Sequence, residues 1–250
     1  MIKILFTTLL SISLWGMSNH DVSQKSDETT SGYKDASSDM YMTLINAKGQ
    51  KRKRHMKIIM LEKEAGDKSL MTFISPADVK GTKFLNYEHI LKDDDQWLYL
   101  PALQRVKRIA SKSKSGSFMG SEFSFEDLSS FNVNKYSYKG EASIVSLDGK
   151  KLYKGERFPI TENSGYTKNV FWIDTTTFLL HKVEYYDRKH ELLKTAYFSG
   201  YTKISGAWRT GQIIMKNHQN DKQTILVWKD EKVNIGLKEK SFHKRVLKKR

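Results

Sequence analysis

The chain has 250 residues, with 43 Lys and Arg against 28 Asp and Glu, a formal charge of +15. Such a surplus points to an anionic partner. Cysteine is absent, which excludes a disulfide framework, a thiol nucleophile, a cysteine metal site and a lipobox cysteine for lipidation.

Residues 1–17 have the form of a secretory signal: Lys3 supplies the positive n-region, and ILFTTLLSISLWGM is an apolar run too short to span a bilayer. An uncleaved anchor is the alternative, because Gly16 to Ser18 only approximates a cleavage site. Residues 18–250 are then expected to form one domain, since all-β units reach this size. Export removes the usual reason to read a basic chain as a nucleic-acid binder, and no recognition helix or RNA-binding motif is present. Membrane surfaces, acidic lipids or an acidic protein remain.

The polar stretch after the leader reads as a short first helix with a weak apolar face, then a Gly/Ser turn. From Asp39 onward strand-like runs alternate with turn signals: YMTLI, NAKG and HMKIIML form a first hairpin, and KSLMTFI, TKFLNY, QWLYL and QRVKRI follow. The second half repeats the pattern, with Asp148-Gly149 and Asn220-Asp221 where hairpin turns are needed. The expected fold class is mainly β: a single curved antiparallel sheet of about ten strands, an incomplete or half β-barrel, with a few short helices as lid or plug. Met56, Ile58 and Met60 share one face against Lys57, and Val183 and Tyr185 oppose Lys182 and Glu184. VFWI and ILVW are apolar on both faces, as where a helix or flap covers the sheet.

Residues 111–121 are Ser-, Lys- and Gly-rich, and Gly116 and Gly120 mark a hinge. Phe118, Met119, Phe123, Phe125, Leu128 and Phe131 then crowd apolar side chains together, while Ser124 and Asp127 fit a capping box. This segment is either a lid over an apolar cavity or a helix that plugs a barrel end. Methionine at 40, 42, 56, 60, 71, 119 and 215 is generous for strands and suits either plain core filling or a pocket that accepts disordered acyl chains. A cavity wall is expected from Met42, Leu44, Met56, Ile58, Met60 and Phe73, with Trp97, Tyr99, Val183 and Tyr185 completing it. Arg105, Lys107 and Arg108 are candidates to contact an anionic group at its mouth; a solvated basic face is the plainer reading of each. Asp93, Asp94 and Asp95 lack the spacing of a calcium loop and read as a turn.

No signature of catalysis stands out. The seven histidines are scattered without metal spacing, GSFMGS lacks the glycine placement of a nucleophile elbow, and Glu122, Glu126 and Asp127 fit a helix start. The expectation is a non-enzyme with no cofactor and no metal.

The stretches SSDMYMTLINAKG, FISPADVKGTKFL (73–85), WLYLPALQRVKRI (97–109) and FMGSEFSFEDL (118–128), with VEYYD (183–187), Trp208-Arg209 and IMKN (214–217), together resemble the bacterial outer-membrane lipoprotein-sorting proteins related to the LolA carrier. The resemblance spans nearly the whole mature chain and lies nearer to a branch linked with resistance-nodulation-type lipid exporters than to the housekeeping carrier. It implies an incomplete barrel covered by helices, a periplasmic location, and an apolar concavity that shields the acyl chains of a lipoprotein or lipid on the way to the outer membrane. It favours the lid reading of 116–131. An inner-membrane lipid exporter is the implied protein partner, and a monomer is expected. The competing class is a non-catalytic docking or sensor subunit of such an export system.

Overall fold

The structure, a computed structural model, describes residues 16–249; residues 1–15, most of the expected leader, lie outside them. One helix, α1 (Asn19–Thr30), is followed by sixteen strands. The first half holds β1 (Asp35–Ile45), β2 (Lys51–Leu61), β3 (Lys68–Ser75), β4 (Lys83–Tyr87), β5 (Asp95–Leu100) and β6 (Arg105–Ile109). After a crossing segment come β7 (Tyr136–Ser137), β8 (Ser143–Leu147), β9 (Lys150–Pro159), β10 (Tyr166–Asp174), β11 (Leu180–Asp187) and β12 (Leu192–Ser199). A small pair, β13 (Thr202–Ile204) and β14 (Ala207–Arg209), precedes β15 (Gln212–Asn217) and β16 (Gln223–Val233).

Fourteen strands make one antiparallel sheet in the order β6-β5-β4-β3-β2-β1-β16-β15-β12-β11-β10-β9-β7, with β8 also on β9. The sheet does not close, because β6 and β7 end it without pairing to each other. This is a mainly β fold with more strands than the ten expected. The excess arises where runs read as single strands are broken: YSYKGEASIVSL splits into β7 and β8, and FSGYTKI turns at Gly200 into the separate β13–β14 pair. The hairpin turns fall where expected. Asp148 and Gly149 both take positive φ, 50° and 75°, as a two-residue hairpin demands.

The chain's alternation sorts the sheet into two faces. One carries Met40, Met42, Met56, Met71, Phe73 and Phe84, with Leu98 and Leu226 beside them, under residues 118–128. All seven methionines singled out by position pack in this one cluster. Further along the same face α1 seats Val22 against Phe171, Ile173 and Val183. Helix α1 is capped by Ser18, whose side chain accepts from Asp21 N at 3.0 Å. Its docking is tighter than a weak apolar face suggests. Asn19, Ser23 and Ser26 are small enough to sit buried, and a side chain at Gly155 would collide with Asn19 and the Phe171 ring.

The opposite face is covered in its first half by the C-terminal tail. Phe242 and Leu247, on two 3-10 turns, are fully buried against Leu70, Leu85 and Trp97. This explains why QWLYL is apolar on both sides. Among the described residues no helix is long and apolar enough to cross a membrane.

Candidate functional site

The segment joining β6 to β7 crosses the sheet and lies on the methionine-rich face. Phe118 is fully buried; its ring stands 5.2 Å from that of Phe84, 6.0 Å from Phe73 and 5.5 Å from Phe125. Phe123, Met119, Phe125 and Leu128 join the same cluster. Phe131, the last of the six residues expected in the lid, lies apart and stacks with Tyr136 and Arg157.

The segment is held to the sheet by a few polar latches as well as by its rings. Arg54 Nη1 donates to Met119 O at 2.6 Å, Gln96 Nε2 to Phe125 O at 2.9 Å, and Lys194 Nζ to Glu122 O at 3.0 Å. Ser124 and Asp127 form the reciprocal pair expected of a capping box, Asp127 N to Ser124 Oγ at 3.2 Å and Ser124 N to Asp127 Oδ2 at 2.6 Å. The pair does not cap a helix: the neighbouring 3-10 turn, Glu126–Leu128, has Phe125 at its N-cap and no side-chain cap bond. Of the two expected hinge glycines, Gly120 has a φ of +76°, a conformation that other residues rarely adopt, whereas Gly116 has no such requirement and an added side chain there would crowd Ser113 O.

Met42, Leu44, Met56, Ile58, Met60 and Phe73 all meet on this face, with Tyr185 packed at the edge of the cluster. Val183 is on the same face under α1. Trp97 and Tyr99 do not belong with them. They point to the other side of β5, where Trp97 meets Phe242 and the Lys244 ammonium lies 4.1 Å from its ring centre. On β5 it is Leu98 and Leu100 that face the segment. The sequence contained this answer: strict alternation separates 97 and 99 from 98 and 100, and only the C-terminal tail, invisible as a cover in the sequence, makes the other pair buried.

Arg105, Lys107 and Arg108 do not converge on one point. All three are exposed on the edge strand β6; Lys107 is paired across from Leu98 and Arg108 from Trp97, so they fall on opposite faces. Arg108 is engaged by Asp95 at 2.5 Å. Asp93 and Asp94, expected in a turn, lie in the irregular link before β5, and Asp95 is the first residue of that strand; their carboxylates are taken up by Asn163, Lys135 and His89 with Arg108.

The second half of the covered face holds a polar row that the sequence reading missed. Register places Arg157 of β9 opposite Asn169 of β10, Asn169 opposite Tyr185 of β11, Tyr185 opposite Lys194 of β12, and Lys194 opposite Asn217 of β15. Lys194 is paired with Asp127 at 2.5 Å, and Asn217 Nδ2 donates to Glu122 Oε2 at 2.7 Å, so the row ends on the crossing segment. The available signal was a polar residue on an otherwise apolar strand face: Asn169 with Phe171 and Ile173, and Lys194 with Ala196 and Phe198.

Between this part of the sheet and residues 123–136 lies a cavity of about 270 Å³. One wall is apolar, with Tyr185, Ala196, Phe198, Ile213 and Met215; the other is polar and holds Lys114, Lys135 and Arg157 with Asp93, Asp94 and Glu126. Burial pushes the Glu126 carboxyl up from its ordinary range, although Ser164 Oγ and Gly165 N donate to it. Burial also lowers the Lys114 ammonium and raises the Tyr166 phenol, whose hydroxyl donates to Asp127 Oδ1 at 2.7 Å. Among the described residues no group of three or more His, Asp or Glu side chains is placed to hold a metal ion.

A family model described as "-like: Uncharacterized protein" matches residues 65–249. The chain is similar to a crystal structure described as an outer membrane lipoprotein-sorting protein domain from Vibrio parahaemolyticus, at 44% identity over 92% of this chain and 98% of that one, with a TM-score of 0.86. The chain belongs to the family of outer-membrane lipoprotein-sorting protein domains. A DUF1329 family protein from Desulfovibrio piger is 31% identical over 91% of this chain and 97% of its own, with a TM-score of 0.86. A LolA superfamily protein from Nitrosomonas europaea shares the fold at 20% identity, covering 92% and 99% of the two chains with a TM-score of 0.75. None of the curated proteins matches the chain. The methionine-rich face and its crossing segment thus lie in a fold shared with that lipoprotein-sorting domain.

Proposed function

We propose that the chain is a non-catalytic periplasmic carrier, in which the sheet serves as a half-barrel that shields the acyl chains of a lipoprotein or lipid and delivers them toward the outer membrane. The observation that carries this reading is the seating of residues 118–128 as an apolar plug on a face made largely of methionine and phenylalanine. Unbranched thioethers can repack around a disordered chain once the plug is lifted. In the closed form the cavity of about 270 Å³ is smaller than the range of roughly 300–1,000 Å³ usual for sites of drug-sized ligands, so a diacyl lipid requires the segment to move.

The similarity to a lipoprotein-sorting domain supports lipoprotein as cargo, and an inner-membrane lipid exporter is the proposed partner. Lipid extraction and mass spectrometry of the mature protein, purified from periplasm without detergent, tests the reading. A stoichiometric acyl ligand is expected. Protein that is empty and fails to take up a fluorescent acyl probe overturns it. The absence of native cysteine allows a second test: cysteines introduced at 54 and 119, bridged by a flexible bis-maleimide, should block probe exchange.

A further inference from the structure

We propose that Arg157 anchors the phosphate of an acidic lipid headgroup at the polar end of the cavity, a cargo preference that rests on the acyl-carrier reading above. Arg157 is only 4% exposed and lines the cavity, yet it makes no ion pair among the described residues, and its Nε has no hydrogen-bond partner. Two other cations at this end are spoken for. Lys135 lies 2.6 Å from Glu88 and 3.1 Å from Asp94, and Lys194 lies 2.5 Å from Asp127. Lys114, 6% exposed, has Asp93 only at 3.8 Å and no hydrogen bond to its Nζ, and it lines the same cavity.

Asp27, a carboxylate that feels the charge of Arg157, accepts from Val133 N at 3.0 Å and makes no ion pair with it. A buried charge is ordinarily paired, and leaving one bare is costly. The guanidinium lies over the rings of Phe131 and Tyr136, 4.2 and 4.7 Å from their centres. These stacks hold its faces and leave the in-plane N–H donors, a fork that matches phosphate oxygens bidentately. Asn169, paired across from Arg157 and wholly buried, has neither side-chain polar atom satisfied. The apolar wall of Tyr185, Ala196, Phe198 and Met215 begins at the same cavity, so an anionic head on Arg157 directs its chains onto the face that the plug covers.

The test is binding of a fluorescent phosphatidylglycerol and of the acyl-matched diacylglycerol to the full mature chain, wild type and Arg157→Met. Wild type should prefer the phosphatidylglycerol by tenfold or more, the scale of a charge-assisted hydrogen bond. Arg157→Met should bring the ratio of the two affinities close to one, and Arg157→Lys should keep part of the preference. Equal affinity of wild type for the two lipids overturns the headgroup site while leaving the carrier reading intact, and needs no variant to fold. Failure to bind either lipid overturns both. Displacement of the phosphatidylglycerol by equimolar inorganic phosphate assigns the site to free phosphate and overturns the lipid source.

Discussion

Replacing Phe118 by alanine should loosen the crossing segment and raise the affinity for acyl chains together. Phe118 is fully buried against Phe73, Phe84 and Phe125, and truncation of a buried phenylalanine costs about 3–5 kcal/mol. If the segment opens independently of the sheet, that cost falls on the closing equilibrium. About 3 kcal/mol raises the open population roughly a hundredfold, and the apparent affinity of a ligand that needs the open form rises in proportion until the segment is mostly open. Global stability then falls by no more than the free energy of opening. Native-state hydrogen exchange separates the two events. The Phe118, Ser121 and Phe125 amides, bonded to Phe123 O, Phe118 O and Gly116 O, should exchange well before those of the β3–β4 ladder in wild type, and faster still in the variant. A titration with a fluorescent acyl probe reads the affinity. Segment amides that exchange only with the ladder, combined with probe affinity that is unchanged or weaker, would refute the reasoning and make residues 118–128 ordinary core.

Arg54→Met removes a charge-assisted bond to Met119 O, worth about 1.5–3 kcal/mol, and should speed exchange of the same amides at least tenfold while the ladder is little affected. Glu88 gives a pH signature. Burial pushes its carboxyl up to about 7 despite Lys135 at 2.6 Å, so the folded protein holds a proton that the unfolded chain loses near 4.5. The stabilisation from this group is complete below pH 4.5 and is lost as pH rises through 7, by about 3 kcal/mol at most; Glu88→Gln should flatten that decline in urea midpoints. Phe242→Ala should cost about 3–5 kcal/mol and shift Trp97 emission to the red, because Phe242 is a fully buried tail residue packed with Trp97. Unchanged emission would show that the tail does not cover that tryptophan in solution.

Alternation carried most of what could be foreseen. Met56, Ile58 and Met60 share a face because the period of a strand is two, and the same rule put Val183 and Tyr185 on that face five strands further across the sheet. The reciprocal Ser124–Asp127 hydrogen bonds were legible because they span three residues. What alternation cannot say is what covers each face. Trp97 and Tyr99 lie under a tail about 140 residues downstream, a contact that no local pattern encodes. The row from Arg157 to Asn217 was hidden for a related reason. Each member is a single polar residue in its own strand, and the row exists only through the registers of five strands.

On the carrier reading proposed above, the two halves of the covered face differ in a way that bears on release. Under residues 118–128 the sheet offers aliphatic, thioether and aromatic groups, so an acyl chain entering there gains about 0.8 kcal/mol per methylene buried. The segment that it displaces gives up Phe118, Phe123, Phe125 and Leu128, each worth about 1.5–3 kcal/mol of burial. A chain of ordinary lipid length and the segment are therefore competitors of similar strength for one surface. Cargo held by burial alone would be strongly bound, but cargo held against the return of the plug is bound only by the difference between the two. The latches from Arg54, Gln96 and Lys194, all to backbone carbonyls, reward the plug for returning without depending on the identity of its side chains. Weakening the plug should therefore tighten loading and slow handover, which is why the Phe118 variant is expected to bind better and deliver worse.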